Sequence, residues 1–280
     1  MITAIASLAN EHAIDDLKIL FFTLALWNKV PPTIYLFTDT KTAPLIKKIP
    51  YPGRIVMKED KLNPYATLNR KQMESRPGTH FKTLFADFTA EKTDLMEWAL
   101  SEEPDGVLFC DADICHLGPL PEIPDGVDLA LSPHMIRPQD TARFGIYNAG
   151  FLWFKNPTLP GKWKELCKTS RFFEQGCLDD LAQGYSLYEF PVQNNYGWWR
   201  LWQGTEPPPV LLERWGILRS TETAGIAVEK SPLLSVHTHW YEKNDQATHQ
   251  FNMMVLSYLK KLAPYQSKTK KLVTFLETIA

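Results

Sequence analysis

Cysteine is scarce in this chain of 280 residues, occurring only at Cys110, Cys115, Cys167 and Cys177. No two of them form a CxxC pair, and their spacing fits no disulfide framework. Packing as small hydrophobes is their expected role, in a reducing, cytoplasmic compartment. Long apolar runs are missing too: nothing approaches the ~18 uninterrupted residues of a membrane span. The opening "MITAIASLANEHAIDD" lacks a basic flank and soon turns acidic, so no signal peptide is expected. Charge of one sign is also absent, the formal net value being −2. With no basic stripe, zinc spacing or RNA-reading aromatic motif, nucleic acid is not an expected partner. A polyanionic ligand would have to be gripped locally, by a metal ion or a few placed cations. Repeats and low-complexity tracts are lacking.

What is present is ordinary globular composition, 44% hydrophobic and 22% charged. The length suits a single α/β domain over 1–280. Within it, 1–115 reads as a ligand-binding half, 116–240 as a second half, and 241–280 as C-terminal helices. Apolar runs at 2–9 and 33–39 flank a helical pattern over 11–28, where Leu17, Phe21, Leu24 and Asn28 share a face. Strand, helix and strand in about 40 residues predict parallel βαβ units. Further strands are expected at 107–110, 127–134, 147–156 and 233–240, and helices at 89–100 and 170–184. Ser170 and Gly184 would cap the second of these helices. The stretch 206–225, with Pro207, Pro208 and Pro209, reads as a long loop or small subdomain. Two amphipathic helices close the chain, the last on Leu272, Phe275, Leu276 and Ile279. A weak contact of 265–280 with a membrane surface is conceivable through its "KTKK" cluster, but packing on the body is the better reading.

The segment "VLFCDADICHL" carries the chemistry. A buried strand ends on Asp111-Ala112-Asp113. Buried carboxylates are costly unless paired, whereas strand ends in open α/β sheets meet at ligand crevices. Side chains two apart on a strand share a side, so Asp111 and Asp113 can converge on one hard cation, Mg²⁺ or Mn²⁺. The late segment "SVHTHW" offers an imidazole, His237 or His239, and imidazole with carboxylates favours Mn²⁺. In "NNYGWWRLW", the amides of Asn194 and Asn195 lie beside Trp198, Trp199 and Trp202. Aromatic faces with amides suit a sugar ring, so these residues are candidates for an acceptor or sugar pocket.

An apolar strand ending in Asp-x-Asp, then "YNAGFLWF" about 35 residues on, then "FEQGCLDDL", then "VHTHW", resembles the metal-dependent GT-A glycosyltransferases. The likeness is to the nucleotide-diphospho-sugar transferases and family 8-like enzymes, over roughly residues 2–240. It implies a Rossmann-like, mostly parallel sheet flanked by helices with a C-terminal acceptor-side portion, in which 1–115 is the nucleotide-binding half and 116–240 the sugar and acceptor half. It also implies transfer of a hexosyl or pentosyl group from a nucleotide-diphosphate sugar to a hydroxyl acceptor, mostly with retention, for glycan biosynthesis. By that resemblance Asp111 and Asp113 hold the metal and, through it, the donor diphosphate. His237 is the third ligand, with His239 as the alternative. Lys92 would touch donor phosphate or sugar, with Lys82 as its rival. Asn148, Ala149 and Gly150 would line the sugar pocket, and Glu174 and Gln175 would border the reacting carbon. Ala6, Ser7 and Asn10 would lie under the nucleobase. If the outcome were inversion, Glu174, Asp179 or Asp180 would be the base. The chain departs from family 8 enzymes in having Glu174 where Asp is usual and in lacking their HxxGxxKPW ending.

Three other readings compete. A haloacid-dehalogenase-type phosphohydrolase would use Asp111 as a nucleophile, but Cys115 stands where its DxDx[TV] pattern needs Thr or Val. A sugar-nucleotide pyrophosphorylase would need glycines after the first strand, where "IASLANEHAI" has none. A non-catalytic carbohydrate-binding protein would keep the aromatic pocket without turnover.

Overall fold

The computed structural model describes residues 1–279; Ala280 and the side chain of Ile279 lie outside the described residues. In chain order the strands are β1 (Ala4–Leu8), β2 (Thr33–Phe37), β3 (Ile55–Lys58), β4 (Val107–Cys110), β5 (Ile114–His116), β6 (Leu129–Pro133) and β7 (Tyr147–Phe154). They continue with β8 (Leu187–Glu189), β9 (Tyr196–Gly197), β10 (Trp215–Ile217), β11 (Ile226–Val228), β12 (Ser231–Pro232) and β13 (Ser235–His237). Seven of them form the central sheet, ordered β3-β2-β1-β4-β7-β6-β8. Every neighbouring pair is parallel except β4·β7 and β6·β7, so only β7 runs against the rest. This is the expected Rossmann-like α/β sheet with helices on both faces.

The faces explain the helices. Ile14–Trp27 starts with Asp15 and Asp16 in its first turn, where the helix dipole favours acids. It buries Leu17, Leu20, Phe21 and Leu24 against Ile5, Leu36 and Leu108. The Asn28 amide and backbone N–H both bond Leu24 O, closing the helix before Pro31. On the opposite face Leu84–Glu102 buries Leu95, Met96, Ala99 and Leu100 among Ala6, Phe37 and Phe109. This helix starts five residues before the expected 89, because Thr83 accepts from the Ala86 N–H and forms an N-cap.

The expected helix over 170–184 is largely replaced by turns. Only Leu178–Leu181 is helical, and Phe173 sits at a left-handed φ of 44°. Apolar spacing there is helical, but Glu174 is drawn toward Lys92 and its carbonyl accepts from Trp163 Nε1 at 2.7 Å. Tertiary polar contacts therefore override the local pattern.

Residues 206–232 form a small subdomain: the helix Pro208–Leu212 and the antiparallel sheet β10-β11-β12. The C-terminal helices Gln246–Leu262 and Ser267–Ile279 pack on the body, burying Phe251, Val255, Leu259, Leu272 and Leu276. Phe275 stacks on Phe22 at 3.9 Å, which fastens the tail to the first long helix. No helix among the described residues is long and apolar enough to cross a membrane.

Candidate active site

Three pairings assemble the site. Strand β7 lies antiparallel beside β4, and the Asp111 N–H donates to Gly150 O at 2.8 Å, so Asn148-Ala149-Gly150 faces the first aspartate. The register slips between Leu131 and Ser132 on β6, a bulge that sets Asn148 opposite Ser132. Strand β13 runs antiparallel to β5 with His237 opposite Ile114, and the Thr238 N–H donates to Asp113 O at 3.0 Å. A residue over a hundred positions downstream is thereby fixed beside the acidic pair. The aspartates stand in the turn between β4 and β5, not on the strand itself; Ile114 N bonds Asp111 O across that turn.

His237 Nε2 lies 3.1 Å from Asp113 Oδ1 and 3.8 Å from Asp111 Oδ2. Ligand atoms of Asp111, Asp113 and His237 all fall within 4.8 Å of one another. The other ring nitrogen, Nδ1, is 2.8 Å from Asn195 Oδ1. Asn195 spends both amide hydrogens on Ser132 Oγ and Asn148 Oδ1, each at 3.0 Å, so its oxygen accepts from the ring. On that assignment Nδ1 carries the proton and Nε2 presents a lone pair to two carboxylates. Three acceptors facing one point call for a cation among them, and two carboxylates with a neutral imidazole suit a divalent ion. Gly150 keeps the space open: a Cβ there would sit 2.4 Å from Asp111 Oδ2 and 2.5 Å from His237 Cε1. The residues therefore fit a metal.

Lys92 is the second charged centre. Its buried ammonium lies 3.0 Å from Asp111 Oδ1 and 2.8 Å from Glu174 Oε1. Burial disfavours its charge, but Asp111 and Glu174 outweigh that and hold its pKa above the ordinary lysine range. Burial also raises the Asp111 carboxyl, opposed by Lys92. For Asp113, burial pushes up, but the neighbouring His237 and His239 imidazoles prevail, leaving it well below the usual carboxylate range. His239 is held above the imidazole range by Asp113, against burial and with help from Asp16 at 2.8 Å.

These groups surround a hollow of about 300 Å³, lined also by Asn148, Gly150, Gln175, Trp198, Trp199 and His239. Gln175 is locked: Nε2 donates to Phe144 O, and Oε1 accepts from Asn148 Nδ2 and the Ala149 N–H. Trp199 meets the His237 ring edge-on at 5.1 Å. Not all candidates converge. Asn195 is fully buried behind His237, and Asn194 is buried beside it, so neither lines the hollow. Ala6 and Ser7 are buried within β1. Asn10 donates to Tyr65 O and Leu68 O and accepts from His12 N, holding loops together. Asp179 receives the Ile146 N–H and pairs with Arg171, away from the hollow. Ala112 is buried among apolar side chains. Lys82 lines a different hollow.

Three contributors escaped the sequence. Asp16 braces His239 from the first turn of the Ile14–Trp27 helix. His134 bonds Asn148 Nδ2. Arg200, buried without a carboxylate, donates to the carbonyls of Val192, Asn194 and Pro133 and so fastens the turn bearing Asn195, whose φ is 54°. Only Arg200 falls in a stretch the sequence singled out, "NNYGWWR", which reads equally as pocket or core.

This is the architecture of a glycosyltransferase fold. The glycosyltransferase GlyE of Streptococcus pneumoniae TIGR4 superposes over 92% of this chain and 60% of its own, with TM-score 0.53 and 14% identity. The bifunctional glycosyltransferase WbbM covers 97% of this chain and 51% of its own, at TM-score 0.55 and 9% identity. Mouse xyloside xylosyltransferase 1 covers 85% and 97%, at TM-score 0.50 and 10% identity. The chain thus spans between half and two thirds of the GlyE and WbbM structures. No family profile and no curated protein matches the sequence.

Proposed function

We propose that this protein transfers a hexosyl or pentosyl group from a nucleotide-diphosphate sugar to a hydroxyl acceptor, with Mn²⁺ or Mg²⁺. The observation that carries this reading is the convergence of Asp111, Asp113 and the Nε2 lone pair of His237 in a glycosyltransferase-like fold. Those three residues would hold the ion, which supplies Lewis-acid charge to a departing diphosphate. The remaining work falls to the chain. Lys92 fixes Asp111 and Glu174 on either side of itself and brings preorganised positive charge to a largely dry wall. Gln175 and Asn148, joined by the Asn148 Nδ2 hydrogen bond to Gln175 Oε1, present a rigid polar edge to a sugar. Trp198 and Trp199 offer apolar surface across the same hollow.

A thermal-shift screen of nucleotide sugars with and without Mn²⁺ tests the donor assignment, since a ligand of the native state raises apparent stability. One nucleotide should give a shift that requires Mn²⁺. Asp113→Ala should abolish both that shift and transfer; full retained activity sinks the metal assignment. Anomeric NMR of the product decides retention, which the family resemblance implies.

A further inference from the structure

Behind the Glu174 wall lies a second hollow, of about 500 Å³, that the proposed chemistry does not use. Phe172, Phe173 and Glu174 line both spaces, so the two share a partition. The partition is firm: Phe173 packs edge-on against Phe85 at 5.1 Å, and Phe172 against Phe144 at 4.8 Å. Phe173 holds its left-handed φ of 44° although it is not glycine, a conformation that persists where surroundings over-determine it.

The far side of this hollow is cationic. Lys82, Lys168 and Arg171 line it. Arg171 pairs with Asp179 and Lys168 with Glu165, and neither acid lines the hollow. Lys82 has no ion-pair partner among the described residues. The one acid in the lining, Glu174, has its carboxylate on Lys92 at 2.8 Å. The loop bearing His80 and Lys82 is built. Buried Asp87 accepts from the N–H groups of Thr79, His80 and Phe81, the last at 2.8 Å. The Leu84–Glu102 helix begins at this rim, adding the positive end of its dipole.

Aromatic surface beside cations suits a sugar that carries a negative group. We propose that this annex binds the acceptor, and that the acceptor is an anionic saccharide, phosphorylated or carboxylated. The proposal rests on the glycosyl-transfer reading of the adjoining hollow. Cations outside the reaction hollow would hold the acceptor's charge, leaving its hydroxyl to reach past the Phe172–Phe173 edge toward Glu174 and Gln175.

The test is titration of metal-free full chain with glucose 6-phosphate, glucuronate and neutral glucose, followed by NMR or calorimetry. At least one anionic probe should bind ten or more times tighter than glucose, and the arm that binds names the anionic group. The double variant Lys82→Glu/Lys168→Glu, both at exposed positions, should weaken that probe at least tenfold while keeping wild-type melting and Mn²⁺ affinity. Anionic probes that bind no better than glucose overturn the proposal. So does tight binding that survives in the double variant, because it then belongs to another site. A wild type that does not bind Mn²⁺ would sink the metal reading instead and leave these metal-free titrations unaffected.

Discussion

Gly150→Ala isolates the metal cradle with one methyl group. Gly150 lies outside the left-handed backbone region, so alanine brings no φ strain and its effect is steric. The new Cβ would stand 2.4 Å from Asp111 Oδ2, 2.5 Å from His237 Cε1 and 2.9 Å from Asn148 Oδ1. Ordinary carbon contacts begin near 3.4 Å, so the carboxylate and the imidazole must each retreat by roughly 1 Å. Metal ligands tolerate displacements of only about 0.2 Å. Neither neighbour moves freely: Asp111 is tied to Lys92, and His237 to Asn195. Overpacking of this kind costs about 1–3 kcal/mol in stability. Retreat of two of three ligands should weaken Mn²⁺ by about 100-fold or more, near 2.7 kcal/mol. Manganese titration followed by EPR or calorimetry reads the affinity, and circular dichroism with thermal melting confirms the fold. A folded Gly150→Ala protein that binds Mn²⁺ like the wild type would refute the cradle and its assigned ligands.

Further expectations concern the residues around that centre. Asn195→Ala should lower Mn²⁺ affinity by about 10–100-fold, because the tautomer and orientation of His237 lose their anchor; nitrogen NMR of the imidazole should show mixed tautomers. Lys92→Met should destabilise the fold by about 3–5 kcal/mol, since Asp111 and Glu174 are left facing each other without a counter-charge. Adding Glu174→Gln should recover part of that loss in urea unfolding. Burial depresses His116 to about 3 and His134 to about 4. Both bind protons more readily once unfolded, near pH 6.5. Their neutral-state contribution is complete above that pH and is lost as pH falls toward 4 and then 3, at about 1.4 kcal/mol per unit for each ring. Urea midpoints between pH 7 and 4 measure the slope, which His116→Phe should reduce.

The sequence alone determined the alternation of strands and helices and the place where acids end a buried strand. Alternating and periodic apolar residues are local signals, and β1, β2, β4 and β7 fall where those patterns put them. An acidic pair closing "VLFC" is likewise local, because burial of charge needs a reason wherever it occurs. The pattern at 170–184 misled, since helical spacing cannot register the pull of Lys92 on Glu174. The placing of the two histidines was also hidden: His237 and His239 are two apart, and only the β5·β13 register sets His237 beside both aspartates and His239 between Asp16 and Asp113. Asn194 and Asn195 read as sugar contacts in sequence, yet the fold turns them inward behind the Asp111–Asp113–His237 cluster. Direction and partner depend on pairing between segments more than a hundred residues apart, and nothing in a residue's own neighbourhood encodes that pairing.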